Sequence, residues 1–319
     1  MDEARRVLIT GAEGFVGAYL TAHLAAAYPT WRVTGTTRDE AGTGSPLVHC
    51  DLRDADAAIA VVRAVGPEMV VHLAGQSNVP ASFADPEGTL TNNIIGTLHL
   101  LDACRTYAPD ARLLIVSSNE VYGPTPPEAQ PLREDRPLRP VNPYAVSKAA
   151  QEMLALQYVH SYGLDVIVAR PFNHIGPGQT DRFVVGAFAR QIVEVERGAR
   201  RVISVGNLDA ERDFTDVRDV VRAYALLLNR GTRGGVYNIG SGKAIAISAV
   251  LEMLRALARV NVAIEQDPER LRPSDVPVMM GETTRLRQAT GWEPEIPLAQ
   301  SLGETLAWWR ATLATEGKS

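Results

Sequence analysis

The feature that most constrains this chain is a short strand followed by a glycine-rich turn and a helix. The apolar run Val7–Ile9 leads into Gly11, Gly14 and Gly17, and helix-forming residues follow over 18–27. Glycines permit a tight turn and the close approach of a ligand to the backbone, and the N-terminus of a helix favours negative charge. The pattern indicates a site for the diphosphate of a dinucleotide. Its spacing, G-x-x-G-x-x-G, differs from the better-known G-x-G-x-x-G, so a glycine turn without a ligand is still open at this point.

Strand-like and helix-like segments alternate along the first half of the chain. This alternation predicts an α/β fold with a Rossmann-type, doubly wound parallel sheet. The predicted strands are residues 7–9, 32–37, 47–52, 69–76, 113–116 and 166–170.

The length of the chain leaves room for a second unit. The sequence has 319 residues, of which 45% are hydrophobic, so two buried cores are within reach. We expect a dinucleotide-binding domain over residues 1–172 plus roughly 213–240. A smaller C-terminal α/β substrate domain is expected over 173–212 and 241–319.

The end of the second predicted strand bears on the choice of cofactor. In dinucleotide folds this position lies beside the adenosine ribose, where an acid binds a free hydroxyl and an arginine accommodates a 2′-phosphate. Arg38 comes first here and Asp39 follows it. NADPH is therefore preferred and NADH stays possible, while a solvated arginine without a role is the competing interpretation. Asp51 closes the third strand, at the edge where ligands of parallel sheets collect.

Tyr144 and Lys148 lie four residues apart at the start of a helical pattern. This spacing places both side chains on one helix face. An ammonium near a phenol favours the phenolate, so we expect Lys148 to lower the pKa of Tyr144 and to make it an acid or base near neutral pH. The spacing alone is weak evidence, because an ordinary amphipathic helix also carries such pairs.

Composition excludes several classes of partner. The net charge of −5 gives no basic field for nucleic acid or for an anionic membrane. The two cysteines, Cys50 and Cys104, show no metal-binding spacing and are typical of reduced intracellular thiols. The first residues pass straight into a strand without a secretory pattern. We therefore expect a cytoplasmic protein without a metal site, a nucleic-acid partner or a membrane partner.

Five motifs in order resemble the extended short-chain dehydrogenase/reductase family, in its nucleotide-sugar branch. They are the glycine turn, Asp51-Leu52, Leu73-Ala74-Gly75, the run Ser117–Gly123, and Tyr144 with Lys148. The resemblance implies that Ser118 hydrogen-bonds the sugar, that Tyr144 transfers a proton, and that Lys148 holds the nicotinamide ribose. It also implies a set of cofactor-binding residues, namely Gly11, Gly14, Phe15, Val16, Gly17, Arg38, Asp51, Leu52, Leu73, Ala74, Gln76, Tyr144 and Lys148.

The second half resembles the GDP-sugar members of that family. The segments 171–179, 205–217 and 271–277 are most similar to those of GDP-6-deoxy-4-keto-D-mannose reductases, which form GDP-D-rhamnose. By this resemblance Asn173, Arg212 and Arg272 hold the diphosphate, and Asp275 lies near the guanosine. Arginine suits that role because its planar fork of donors matches phosphate oxygens.

Glu120 keeps other activities open. In related GDP-mannose 4,6-dehydratases a glutamate at this place in the strand-end motif moves a proton at carbon 5 of the sugar. The continuation after Phe172-Asn173-His174 lacks the arginines of those dehydratases. We therefore expect an NAD(P)H-dependent reductase, with a dehydratase or an NDP-sugar 4-epimerase as alternatives. A dinucleotide sensor without turnover is a further alternative.

The family resemblance also implies a homodimer. The expected contact runs through the helices near Leu90 to Tyr107 and Tyr144 to Tyr162, whose apolar faces permit it.

Overall fold

A parallel sheet of seven strands forms the centre of the molecule. The computed structural model describes residues 4–39, 47–268 and 276–316. The predicted α/β, doubly wound class is confirmed, since the strand order is β10-β6-β5-β4-β1-β2-β3 and every pair is parallel. These strands are β1 (Arg6–Thr10), β2 (Arg32–Thr37), β3 (Leu47–His49), β4 (Met69–His72), β5 (Arg112–Val116), β6 (Asp165–Pro171) and β10 (Val236–Ile239).

Helices cover both faces of this sheet and bury it on each side. On one face, α1 (Phe15–Ala27) packs on α8 (Val217–Arg230) around an apolar core. On the other face lie α2 (Ala55–Val65), α5 (Gly96–Tyr107) and α6 (Pro143–Tyr162). Burial on both faces explains why the strands read as continuous apolar runs.

The sequence predicts a helix from about Pro86 to Tyr107, and the backbone is helical over this whole range. It consists of α4 (Pro86–Leu90), a π turn over Thr91–Ile95 and α5, and the short helix α3 (Val79–Ala84) precedes it. A π turn inserts one extra residue into the helical ladder and re-aims the side chains within it. The third strand also ends earlier than predicted, at His49, so Asp51 lies in the loop after it.

A smaller layer sits at the carboxyl edge of the large sheet. Its four-stranded sheet has the order β11-β9-β13, with β7 paired to β9. Its remaining strands, β8 and β12, form a two-stranded sheet. The elements are β7 (Asn173–Ile175), α7 (Val184–Glu196), β8 (Val202–Val205), β9 (Glu211–Asp216), β11 (Ala244–Ala246), α9 (Ile247–Ala256), β12 (Ala263–Gln266), β13 (Val278–Met279), α10 (Thr284–Thr290) and α11 (Leu298–Glu316).

Strand β9 straddles the boundary expected at residue 213. All of it pairs within the smaller sheet, and α8 then returns the chain to the large one. The α7, α9 and α11 helices pack into a separate core beside these strands. Within the described ranges, no helix has the length and apolar character needed to cross a membrane.

Candidate active site

The N-terminal end of α6 positions Tyr144 and Lys148. Asn142 caps this helix, since its Oδ1 accepts the Ala145 amide at 2.7 Å, and Pro143 fills the first helical position. Both Tyr144 and Lys148 are buried. The Lys148 Nζ donates to the carbonyl oxygen of Val116 at 2.9 Å and lies 6.0 Å from the Tyr144 ring centre. The pair therefore sits at the carboxyl end of β5.

Ser118 joins this pair from the end of β5. It caps a single 3-10 turn, Asn119–Tyr122, and its Oγ accepts the Glu120 amide at 3.2 Å. Burial raises the pKa of Tyr144 to about 12, and a hydrogen bond with Ser118 acts in the opposite direction. The expected lowering of this pKa by Lys148 was wrong, because desolvation of the phenolate outweighs every favourable partner. Tyr144 therefore carries its proton at neutral pH.

Burial also shifts Lys148. It lowers the pKa of the amine to about 8, and the carboxylate of Glu152 works against that shift. Glu152 lies one helical turn beyond Lys148, on the same face of α6. The amine is therefore mostly charged at neutral pH and loses its charge in mildly alkaline solution.

Glu120 lies at the rim of the same site. Its Oε2 accepts a hydrogen bond from the Asn142 Nδ2 at 3.1 Å. The negative charge of Glu120 contributes to the raised pKa of Tyr144. Asn142 thus caps α6 with one atom and holds the carboxylate of Glu120 with another.

The glycine turn between β1 and α1 fits the diphosphate of a dinucleotide. Gly11 has a φ of 72°, and a Cβ on it would lie 2.8 Å from the backbone of Ala74. A Cβ on Gly17 would lie within 2.4 Å of the Gly11 carbonyl oxygen. Gly14 caps α1, and no side chain in the described chain hydrogen-bonds at this cap. The amides at the start of α1 are thus available to an anion, with Phe15 and Val16 in the first turn.

The loop after β4 closes the other side of this turn. The Leu73 amide donates to the Thr10 carbonyl oxygen at 3.1 Å, and the Ala74 amide reaches the Thr10 Oγ at 3.3 Å. Gln76 folds back on its own loop, where its Oε1 accepts the Asn78 amide at 2.7 Å. Leu73, Ala74 and Gln76 therefore lie between the glycine turn and α6.

Two arginines act on Asp51 in the loop after β3, one by hydrogen bonding and one by its charge. Arg53 binds the carboxylate of Asp51 through its Nε at 3.0 Å and its Nη2 at 2.5 Å. This hydrogen bonding lowers the pKa of Asp51, and the charge of Arg38 adds to the effect. Leu52 is buried next to them. The sequence predicted Arg38, Asp51 and Leu52 here and missed Arg53, although it stands only two residues after Asp51.

The smaller sheet brings two of the expected diphosphate-binding residues to one strand pair. Asn173 on β7 pairs with Phe214 on β9, two residues from Arg212. The Arg212 Nη1 donates to the Val276 carbonyl oxygen at 2.7 Å. The other two predicted residues, Arg272 and Asp275, lie outside the described residues.

Comparison with known proteins identifies the family. A family model described as GDP-mannose 4,6 dehydratase matches residues 8–305. The chain belongs to this family. The predicted nucleotide-sugar branch of the extended short-chain dehydrogenases is confirmed.

Individual relatives differ in how similar their sequences are to this chain. GDP-6-deoxy-D-mannose reductase from Pseudomonas aeruginosa is 42% identical over 314 residues, which are 98% of this chain and 99% of the relative. GDP-mannose 4,6-dehydratase from Yersinia enterocolitica is 28% identical over 348 residues, covering 95% of this chain and 93% of the relative. The solved structure of RMD from Pseudomonas aeruginosa complexed with NADPH has a TM-score of 0.86 at 41% identity, covering 97% of this chain and 99% of that chain.

A buried ion pair joins α6 to β6. Arg170 binds Glu152 through its Nε at 3.0 Å and its Nη2 at 2.7 Å, and both side chains are almost fully enclosed. Ser117 also hydrogen-bonds Glu152, and Arg170 reaches the Tyr122 hydroxyl at 3.0 Å. The network ties α6 to the ends of β5 and β6. Sequence reasoning missed it, although Glu152 stands one helical turn after Lys148.

Asn93 is a second buried polar residue beside α6 that the sequence motifs did not identify. It lies buried in the π turn, where its Oδ1 accepts the Gln76 amide at 2.7 Å. Its Nδ2 donates to the Ser147 Oγ at 2.8 Å. Asn93, within the π turn, thereby links the loop after β4 to α6.

Proposed function

We propose that this chain reduces the 4-keto group of a GDP-6-deoxy-4-keto-hexose with NADPH. The preferred reaction converts GDP-6-deoxy-4-keto-D-mannose to GDP-D-rhamnose. The observation that carries the proposal is the buried trio of Ser118, Tyr144 and Lys148, in which Tyr144 keeps its proton at neutral pH. A carbonyl that receives a hydride needs such a proton donor.

Similarity favours the reductase over the alternatives. The relative named as a GDP-6-deoxy-D-mannose reductase is 42% identical, whereas the dehydratase from Yersinia enterocolitica is 28% identical. The predicted reductase activity is borne out over the dehydratase and epimerase interpretations. In a reductase, Glu120 has no proton at carbon 5 of the sugar to move. It accepts a hydrogen bond from Asn142 and places a negative charge near Tyr144.

The catalytic side chains divide the work of the reduction. NADPH, when bound, supplies the hydride that reaches the carbonyl carbon. Tyr144 gives its proton to the carbonyl oxygen, and Ser118 hydrogen-bonds that oxygen beforehand. The charged Lys148 stabilises the phenolate that Tyr144 becomes, because a nearby cation favours the anion in a buried site. The protein therefore contributes geometry and proton transfer.

In this proposal the cofactor and the sugar nucleotide bind to two different sets of residues. Asn173, Arg212, Arg272 and Asp275 bind the GDP portion. Arg38 favours the 2′-phosphate of NADPH, and NADH remains the alternative cofactor. The diphosphate of the cofactor binds at the glycine turn, and the remaining cofactor contacts come from Phe15, Val16, Asp51, Leu52, Leu73, Ala74, Gln76, Tyr144 and Lys148.

The homodimer is also part of the proposal. The exposed fractions of Val146 and Met153 on α6 are 42% and 63%, and these residues stand two helical turns apart. The exposed fractions of Tyr107 and Tyr162, at the ends of α5 and α6, are 43% and 53%. Large exposed apolar side chains on adjacent helices indicate an interface. Sedimentation equilibrium tests it, and a wild-type monomer at micromolar concentration would contradict it.

The remaining proposals concern location and domain limits. We place the protein in the cytoplasm, where its substrate and reduced cofactor are expected. The dinucleotide-binding domain takes residues 1–172 and about 213–240, and the sugar-nucleotide domain takes 173–212 and 241–319. Fractionation of cells that express the chain tests the first proposal, and limited proteolysis tests the second.

The decisive experiment follows NADPH absorbance after mixing the purified protein with GDP-6-deoxy-4-keto-mannose. A parallel sample contains GDP-mannose, and Tyr144→Phe serves as the matched control. We expect one NADPH oxidised per keto sugar, no change with GDP-mannose, and oxidation that is at least about 100-fold slower with the variant. Redox-neutral conversion of GDP-mannose to a 4-keto sugar would instead identify a dehydratase, in which Glu120 is the central acid–base residue.

A further inference from the structure

The carboxylate of Glu152 lies between two buried cations. Glu152 and Lys148 stand one helical turn apart on α6, so their side chains share one face of that helix. Arg170, on β6, binds the same carboxylate through its Nε at 3.0 Å and its Nη2 at 2.7 Å. All three side chains are buried. Water therefore screens these charges little, and both cations depend on one carboxylate.

Contacts to adjacent residues at the end of β5 place the ammonium and the carboxylate side by side. The Lys148 Nζ donates to the carbonyl oxygen of Val116 at 2.9 Å, and Val116 is the last residue of β5. The next residue, Ser117, donates from its hydroxyl to the Glu152 Oε1. The Ser117 amide also donates to the Ala169 carbonyl oxygen at 2.8 Å, which fixes this strand end against β6. The negative charge of Glu152 therefore acts on the Lys148 amine at short range.

The other titratable groups packed around α6 do not replace this carboxylate. His72, on β4, contacts a side chain of α6 at 3.4 Å, and burial lowers its pKa to about 3, so it is neutral. Tyr144 carries its proton at neutral pH, because burial raises its pKa to about 12. Glu120 lies at the rim of the site, bound to the residue that caps α6, and Asp102 on α5 binds the C-terminal part of α6. The carboxylate that α6 shares with β6 is therefore the anion that these contacts place beside Lys148.

We propose that Glu152 is a positioning residue that keeps Lys148 charged and thereby sets the upper pH limit of turnover. This inference rests on the proposed reductase function, in which the charged Lys148 stabilises the phenolate of Tyr144. Burial lowers the pKa of Lys148 to about 8, and the charge of Glu152 acts against that shift. Without the carboxylate, the amine would lose its proton at a lower pH, and the unpaired Arg170 would add repulsion. Glu152 acts through Lys148, since it is itself enclosed.

The test measures how kcat/KM for keto-sugar reduction depends on pH in the wild type and three variants. Glu152→Gln removes the charge and keeps a hydrogen-bond acceptor for Ser117. The double variant Glu152→Gln with Arg170→Met removes both charges of the pair, so it serves the test even if the single variant does not fold. Glu134→Gln is the matched control, because Glu134 is a buried acid that touches Arg170 only through its backbone carbonyl, at the nitrogen that does not bind Glu152.

The wild-type rate should fall above about pH 8, where Lys148 loses its charge. We expect Glu152→Gln to move this alkaline limb down by about 1–2 pH units, the effect of one unit charge at short range in a poorly solvated site. The double variant should lie between Glu152→Gln and the wild type, because the repulsion from Arg170 is gone as well. Glu134→Gln should keep the limb within about half a pH unit of the wild type.

Three results would overturn the inference while leaving the proposed function in place. The first is a wild-type profile without an alkaline limb. The second is a limb at the wild-type pH in Glu152→Gln, or in the double variant where the single one does not fold; a lower rate at every pH would then assign Glu152 a purely structural role. The third is an equal shift in Glu134→Gln. A wild-type protein that does not oxidise NADPH with the keto sugar would instead overturn the proposed function, and the inference with it.

Discussion

Replacing Lys148 by methionine should stabilise the free protein while removing activity. Lys148 is buried, and burial lowers the pKa of its amine from 10.5 to about 8. The native and unfolded values thus differ by about 2.5, and each pH unit corresponds to about 1.4 kcal/mol, so the charged amine costs roughly 3 kcal/mol at neutral pH. The variant also loses the hydrogen bond to Val116, worth about 1 kcal/mol. The net gain in unfolding free energy is about 2 kcal/mol.

The sign of the pH dependence makes this prediction specific. Between the native and unfolded pKa values the unfolded chain binds the proton that the native protein has lost. The wild type therefore gains stability as pH rises from about 8 to 10.5, and below about 8 it carries the full penalty. The advantage of Lys148→Met should shrink to about zero near pH ~10.

Urea unfolding of both proteins across this pH range measures the effect. Lys243→Met is the matched control, because Lys243 is exposed and its loss should change stability by less than about 0.5 kcal/mol. A Lys148→Met variant that is no more stable than the wild type at neutral pH would refute the reasoning. So would a stability difference that does not vary with pH.

Three further outcomes follow from the same site. Tyr144→Phe should lower turnover by about 10²- to 10⁴-fold with NADPH affinity retained in a fluorescence titration, and turnover above one tenth of wild type would contradict its role as proton donor. Arg170→Met should lower the free energy of unfolding, measured in urea, by about 3–5 kcal/mol, because it leaves Glu152 charged and buried. Adding Glu152→Gln should restore most of that loss. A loss below about 1 kcal/mol in the single variant would argue against the buried pair. Glu120→Gln should change the steady-state rate of keto-sugar reduction by less than about fivefold, since no carbon-bound proton moves in a reduction, whereas a hundredfold loss would point to an acid–base role.

Most of the correct predictions depend on residues that are close together in the sequence. The glycine turn, the alternation of strands and helices, and the Tyr144–Lys148 spacing each depend on residues close together in sequence. They predicted the α/β class and the family, and both are confirmed. The end of α10 also has a local cause, because Gly291 follows Thr290 and adopts the left-handed conformation that terminates a helix.

Tertiary structure decided what depends on burial and on long-range contact. The sequence shows that Lys148 stands near Tyr144, and only the fold shows that both are desolvated, which reverses the expected direction of the tyrosine pKa. The π turn that carries Asn93 could not be predicted, because its polar partners lie 17 and 54 residues away. Sequence by itself determined which groups the protein has, and the fold determined their charge state and neighbours, because solvation depends on everything that packs around a group.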